Sequence, residues 1–104
     1  EKNLPDIVLV DLGPIHPLLV FVEVVHTDGP VNEARKTALL KLADKAGFAP
    51  VNVAFVTAFL DRGSATFRKT VGTLAWGSYA WFASEPERLI QFSEKVKRIK
   101  GTSH

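Results

Sequence analysis

Asp6 and Glu23 are the residues of this 104-residue chain whose types and spacing could do chemistry together. Both lie in "PDIVLVDLGPIHPLLVFVEVV", residues 5–25, a valine-rich stretch that nonetheless carries three carboxylates, Asp6, Asp11 and Glu23. If the stretch is a hairpin with Asp6 opposite Glu23, its midpoint falls between Pro14 and Ile15, inside "GPIHP", where a turn is required. Directly opposed residues share a sheet face, with Cβ atoms about 4.5–5.5 Å apart. Two carboxylates at that spacing repel, and one is pushed toward its protonated form, unless a cation sits between them. Hard oxygen ligands of this kind suit Mg²⁺. Asp11 has the opposite parity and points to the other face. The structural reading of the same residues makes Asp6 a strand-start residue and Glu23 a buried acid paired with Arg35 or Lys36.

The elements that must position the pair can be read along the chain. Strands are predicted over 6–12 and 18–26, the second apolar on both faces, as in the middle of a covered sheet. "TDGPVN" is a loop ending in an N-cap candidate, Asn32 or Asp28, and a helix follows over 33–46. Leu39, Leu42, Ala43 and Ala46 line one side of that helix. Arg35, Lys36, Lys41, Asp44 and Lys45 lie largely on its polar side, and Gly47 closes it. "VNVAFVTAF", 51–59, is a third strand, expected to run parallel to the second through a right-handed crossover. "DRGS" leads into a helix over 65–74 with Phe67, Val71 and Leu74 on its apolar side, and "SYAWFA" is a fourth strand. "EPERLIQF" reads as a short helix with Pro86 in its first turn. The order β–β–α–β–α–β predicts an α/β fold with a mixed central sheet flanked by helices.

A hydrophobic content of 46% and a formal charge of +2 describe one globular domain of ordinary composition, for which nucleic acid is a permitted partner and not a required one. Zero cysteines exclude disulfides and thiolate metal sites, which fits a reducing cytoplasm. No signal peptide is recognisable, and the longest apolar run is too short and too β-branched to span a bilayer as a helix. The absence of Met, the first position included, predicts a single domain, 1–104, taken from a longer reading frame.

The "PD" pair followed by an acid on the neighbouring strand resembles the PD-(D/E)XK nuclease core. More closely, "PDIVLVD…FVEVVHTDGPVNEARKTALL…VAFVTAFLDR…LAWGSYAWFASEP" resembles the catalytic C-terminal domain of the BsuBI/PstI type II restriction endonucleases, over roughly residues 4–92. The resemblance implies a restriction-endonuclease-like fold and Mg²⁺, with Mn²⁺ as a substitute, held by Asp6 and Glu23. It also implies hydrolysis of phosphodiester bonds in duplex DNA at a short palindromic site by a homodimer. In that superfamily a lysine two residues after the glutamate helps activate water; here the position is Val25. Arg35 and Lys36, in the first turns of the following helix, are the candidate replacements and catalytic residues. Together with Thr27 and Arg62 they are also the candidate DNA-phosphate contacts.

Among the other residues, the "W….W" aromatics, Trp76, Tyr79, Trp81 and Phe82, read as core or a dimer surface before base stacking. Lys95, Lys97, Arg98 and Lys100 form a basic tail that attracts phosphate without reading sequence. The rival class is a non-catalytic DNA-binding or interaction domain that keeps the nuclease fold. The missing lysine favours it, and the intact Asp6/Glu23 pair argues against it.

Overall fold

The structure is a computed structural model that describes residues 4–25 and 29–96. Its founding unit is the β-rich hairpin: β1 (Ile7–Asp11) and β2 (Leu18–Val24) pair antiparallel. Ile7 stands opposite Val22 and Asp11 opposite Leu18, which is the register that places Asp6 level with Glu23. Asp11 lies on the opposite face from Asp6, and its carboxylate accepts the Gly13 N–H at 2.9 Å, closing the turn after β1.

From β2 the chain enters α1 (Glu33–Lys45), whose N-cap Asn32 accepts the Arg35 N–H at 2.8 Å. Gly47, at φ 89°, supplies the left-handed residue after the last turn. A 3₁₀ turn over Pro50–Asn52 precedes β3 (Val53–Phe59), which lies parallel to β2, as a helical crossover requires. Ser64 caps α2 (Ala65–Thr70), and a 3₁₀ turn over Val71–Thr73 leads to β4 (Tyr79–Phe82), parallel to β3. The last element is β5 (Leu89–Gln91), antiparallel to β4, and the sheet order is β1-β2-β3-β4-β5.

The mixed sheet and both predicted crossover helices are therefore present, and three expectations need correction. The helix predicted over residues 85–92 is a pair of turns and a strand. The Glu85 N–H bonds to the Phe82 carbonyl at 3.0 Å and the Arg88 N–H to that of Glu85 at 3.1 Å, after which Leu89–Gln91 pairs with β4. Pro86 presets a turn as readily as a helix start, and the outer edge of β4 offers backbone groups that need partners. The second strand ends at Val24 and not at 26; residues 26–28 lie outside the described residues, as do those after 96, which carry most of the basic tail. Finally, the sheet is covered on one side. Leu19, Phe21 and Phe55 pack with Leu39 and Ala43 of α1, while Phe67 of α2 meets Phe59 edge-on, ring centroids 5.0 Å apart. Alternation puts all these strand residues on one face. Two crossovers of one hand that step the same way across a sheet must leave their helices on the same side. On the opposite face Leu9, Val20, Val22, Val56, Trp81 and Leu89 line a shallow apolar hollow of about 470 Å³, over which no described element packs. Among the described residues no helix is long and apolar enough to cross a membrane.

Candidate functional site

Glu23 is the charged member of an otherwise apolar stripe. It follows Leu19 and Phe21 on the helix side of β2, pairs in register with Thr57 of β3, and is only 5% exposed. Its carboxylate is engaged through both oxygens. The Asp6 N–H donates to Oε1 at 3.2 Å, and the Arg35 Nε–H donates to Oε2 in a short ion pair. Asp6 reciprocates across the hairpin, its Oδ2 accepting the Val24 N–H at 2.7 Å. The two acids thus continue the β1–β2 ladder beyond its last backbone bonds, each side chain accepting from the opposite strand.

Arg35 reaches this corner because of where α1 begins. The Val31 N–H donates to the buried Thr57 hydroxyl at 3.0 Å, and the Val31 carbonyl accepts from the Ala75 N–H at 2.8 Å. One residue into the helix, Glu33 Oε2 accepts the Trp76 N–H at 2.8 Å. Lys36 Nζ donates to the Trp76 carbonyl at 2.7 Å and to Glu94 Oε2 at 3.1 Å, and lies 6.0 Å from the Phe55 ring centroid. Gly77 permits that approach: it sits at φ 84°, and a β-carbon there would be 2.9 Å from Lys36 Nζ. With the helix start held at both sides, Arg35 and Lys36 diverge, as neighbours about 100° apart on a helix must. Arg35 faces Glu23 and also donates from a terminal nitrogen to the Leu4 carbonyl at 3.1 Å. Lys36 serves the Trp76 turn. The positive charge that two adjacent acids call for is thus in place on Arg35, and that half of the structural reading is present in the fold.

Val25, two residues after Glu23, packs against the Phe59 and Phe82 cluster. Arg62 follows β3 at the sheet end where β2, β3 and β4 all terminate, so it shares an edge with Glu23. Its Nε donates to Glu85 Oε2 at 3.1 Å, and its side chain is 61% exposed. Asp61 braces that loop, accepting from the Gly63 N–H at 2.8 Å and the Ser84 hydroxyl at 2.9 Å. Thr27 lies outside the described residues. Of the aromatics, Phe82 is core, Trp81 and Tyr79 belong to the uncovered face, and Trp76 is exposed. Thr57 and Glu33, both absent from the sequence reading, help set the site. Thr57 had a signal: it is the one hydroxyl in "VNVAFVTAF" and shares the parity of the buried phenylalanines.

The described residues contain no group of three or more His, Asp or Glu side chains placed to hold a metal ion. Two carboxylates do stand level across the hairpin, however, one buried and one exposed, and ionised carboxylates offer about four lone-pair sites each. Glu23 accepts from the Asp6 N–H and from Arg35, and Asp6 accepts from the Val24 N–H. Mg²⁺ is commonly bound by one or two carboxylates, with waters and substrate phosphate completing the shell. The donor set fits such an ion.

The family model of the BsuBI/PstI restriction endonuclease domain matches residues 1–95. Among solved structures the chain is similar to the SdaI restriction endonuclease, with a TM-score of 0.67 and 26% sequence identity. The match covers 93% of this chain and 29% of that one, so the chain spans less than a third of that protein's length. No curated protein matches.

Proposed function

This chain belongs to the BsuBI/PstI restriction endonuclease domain family, and from that premise we propose that it is the catalytic domain of a longer, Mg²⁺-dependent type II restriction endonuclease. Its substrate is duplex DNA at a short palindromic site, cut by a homodimer whose two-fold symmetry matches that of the site, in the cytoplasm. The observation that carries the reading is the Asp6/Glu23 pair, buried in part, set at the sheet end where the parallel strands β2, β3 and β4 finish and flanked by an arginine. Asp6 and Glu23 are the residues to hold the cation, which when bound polarises the scissile phosphate and lowers the pKa of the attacking water.

The chain's own residues do the rest. Asp6, exposed at the start of β1, presents its carboxylate toward solvent where a phosphate can approach. Arg35 offers a planar fork of donors that matches phosphate geometry and stabilises charge building on the pentacovalent phosphorus. Lys36, held by the Trp76 carbonyl and Glu94, braces the helix start from which Arg35 reaches, and Arg62 and Thr27 meet phosphates further along the backbone.

The test is supercoiled plasmid cleavage by the full-length protein with Mg²⁺, Mn²⁺ and EDTA. Metal-dependent cutting that disappears in Glu23→Gln and Asp6→Asn is expected; cutting that persists in both variants would remove the pair from the active site. A non-catalytic DNA-binding domain is the second reading. It is favoured by one observation, that both carboxylates are already engaged within the fold. In that case DNA is bound but metal changes neither the DNA nor the protein.

A further inference from the structure

We infer that Arg35 is a resident counter-ion for Glu23 that a divalent cation must displace, so that loading the metal and releasing the guanidinium are one coupled step. The inference rests on the reading of Asp6 and Glu23 as metal ligands.

Local preference argues that Arg35 is where it is for Glu23 and not for the helix. It is the third residue of α1, where the helix dipole presents its positive end and favours acids such as Glu33. A cation there works against the dipole, so its position is set by a tertiary partner. That partner is an almost fully buried carboxylate, which is costly to leave uncompensated. Asn32 and the Val31 and Trp76 contacts fix the helix start, leaving the arginine side chain aimed at Oε2.

Competition follows from the atoms involved. Arg35 takes Glu23 Oε2 and reaches on to the Leu4 carbonyl, two residues before Asp6, so the guanidinium lies along the corner where the two acids meet. A dication on these carboxylates brings a double positive charge onto the group that already holds a single one, in a part-buried place where charges are weakly screened. Binding is reciprocal: whatever the metal does to the Arg35–Glu23 bond, that bond does to the metal. Once lifted from Oε2, the fork of donors is free to turn to a phosphate oxygen, which gives one side chain two jobs. It neutralises the site while empty and contacts substrate when the site is loaded.

The measurement is Mn²⁺ binding to the full chain without DNA, read by calorimetry and by the loss of the free-ion electron paramagnetic resonance signal. Arg35→Gln is expected to bind Mn²⁺ more tightly than wild type, by about five- to a hundredfold, the usual span of such couplings. Lys41→Gln, which removes the same charge from an exposed position of the same helix, should leave the affinity within about twofold, because exposed charges further off are screened. Arg35→Lys keeps the charge but cannot span Glu23 and Leu4 with one planar fork, so tightening between the other two is expected, and this variant decides the matter if Arg35→Gln does not fold. Unchanged or weaker Mn²⁺ binding in the Arg35 variants overturns the competition while leaving Glu23 as a ligand. Absence of Mn²⁺ binding from wild type, or binding that Glu23→Gln does not alter, overturns the metal-site reading and the inference with it.

Discussion

Two arginine–carboxylate pairs stand at the same end of the sheet, Arg35 with Glu23 and Arg62 with Glu85. In sequence they are the same two residue types. In the fold the first joins a carboxylate with a side-chain exposure of 6% to an arginine at 21%, and the second joins partners at 31% and 61%. The surrounding contacts differ as well: Glu23 also holds the backbone of β1, whereas the Arg62 pair links two loops. Breaking a buried pair strands a charge in a poor solvent, while water replaces most of what a surface pair loses. What marks the candidate site is therefore the burial of one acid beside an exposed one, and not the presence of an ion pair.

The largest effect that can break this comparison is on Glu23. Glu23→Ala removes the partner of Arg35 and the acceptor of the Asp6 N–H together, and should cost about 3 kcal/mol of folding stability. Glu85→Ala should cost less than about 1 kcal/mol. Urea unfolding of both variants measures the difference. Equal costs would mean that burial does not distinguish the pairs. Next comes Thr57→Val, nearly the same shape, which leaves the Val31 N–H without its acceptor and should cost about 2 kcal/mol. Because the Val31 bond lies at the approach to α1, cleavage by Thr57→Val should fall with turnover while apparent DNA affinity changes little. Loss of affinity alone would place Thr57 outside the positioning of Arg35.

Asp6 offers a finer cut, since it accepts the Val24 N–H while remaining exposed. Asp6→Ala should lose about 1 kcal/mol, the net worth of such a bond. Asp6→Asn keeps an acceptor and should stay within about 0.5 kcal/mol of wild type. Cleavage should be lost equally in both, because the charge is gone from both. Stability that follows charge, or activity that survives in the asparagine variant, would make Asp6 a strand cap and nothing more.

Much of this arrangement was legible in the sequence, and the reason is parity. A side-chain period of two, together with one obligatory turn at "GPIHP", fixes which residues oppose, so the level of Asp6 and Glu23 and the reversed side of Asp11 follow from counting. Helix caps were legible for a similar reason, since Asn32 and Gly47 act on their own neighbours. Residues 85–92 misled because Glu-Pro-Glu-Arg has the local chemistry of a helix start, while the deciding fact, the unpaired edge of β4, is not local. The division of labour between Arg35 and Lys36 was beyond sequence for the same reason. It depends on Trp76 and Glu94, forty and fifty-eight residues downstream of Lys36, holding that side chain to another part of the fold. The uncovered sheet face was hidden because an apolar strand reads alike whether one or both of its faces are packed.

The smallest expected effect concerns Arg62. Its pair with Glu85 is largely solvated, so Arg62→Ala should change folding stability by less than about 0.5 kcal/mol. Its place at the sheet end shared with Glu23 nevertheless makes it a phosphate contact in the proposed complex. Each phosphate neutralised releases condensed counterions, so losing one contact should flatten the slope of log affinity against log salt by about one unit. The weakening should be similar for specific and non-specific duplexes, because phosphates carry no sequence. Filter binding of the full-length protein across a salt series, with and without the substitution and in Ca²⁺ to prevent cutting, measures that slope. A stability loss above about 1 kcal/mol would class the Arg62 pair with the Glu23 pair and undo the contrast between them. An unchanged slope would leave the contrast standing and remove Arg62 from the DNA interface, since a side chain that touches a phosphate cannot be deleted without altering the counterion count.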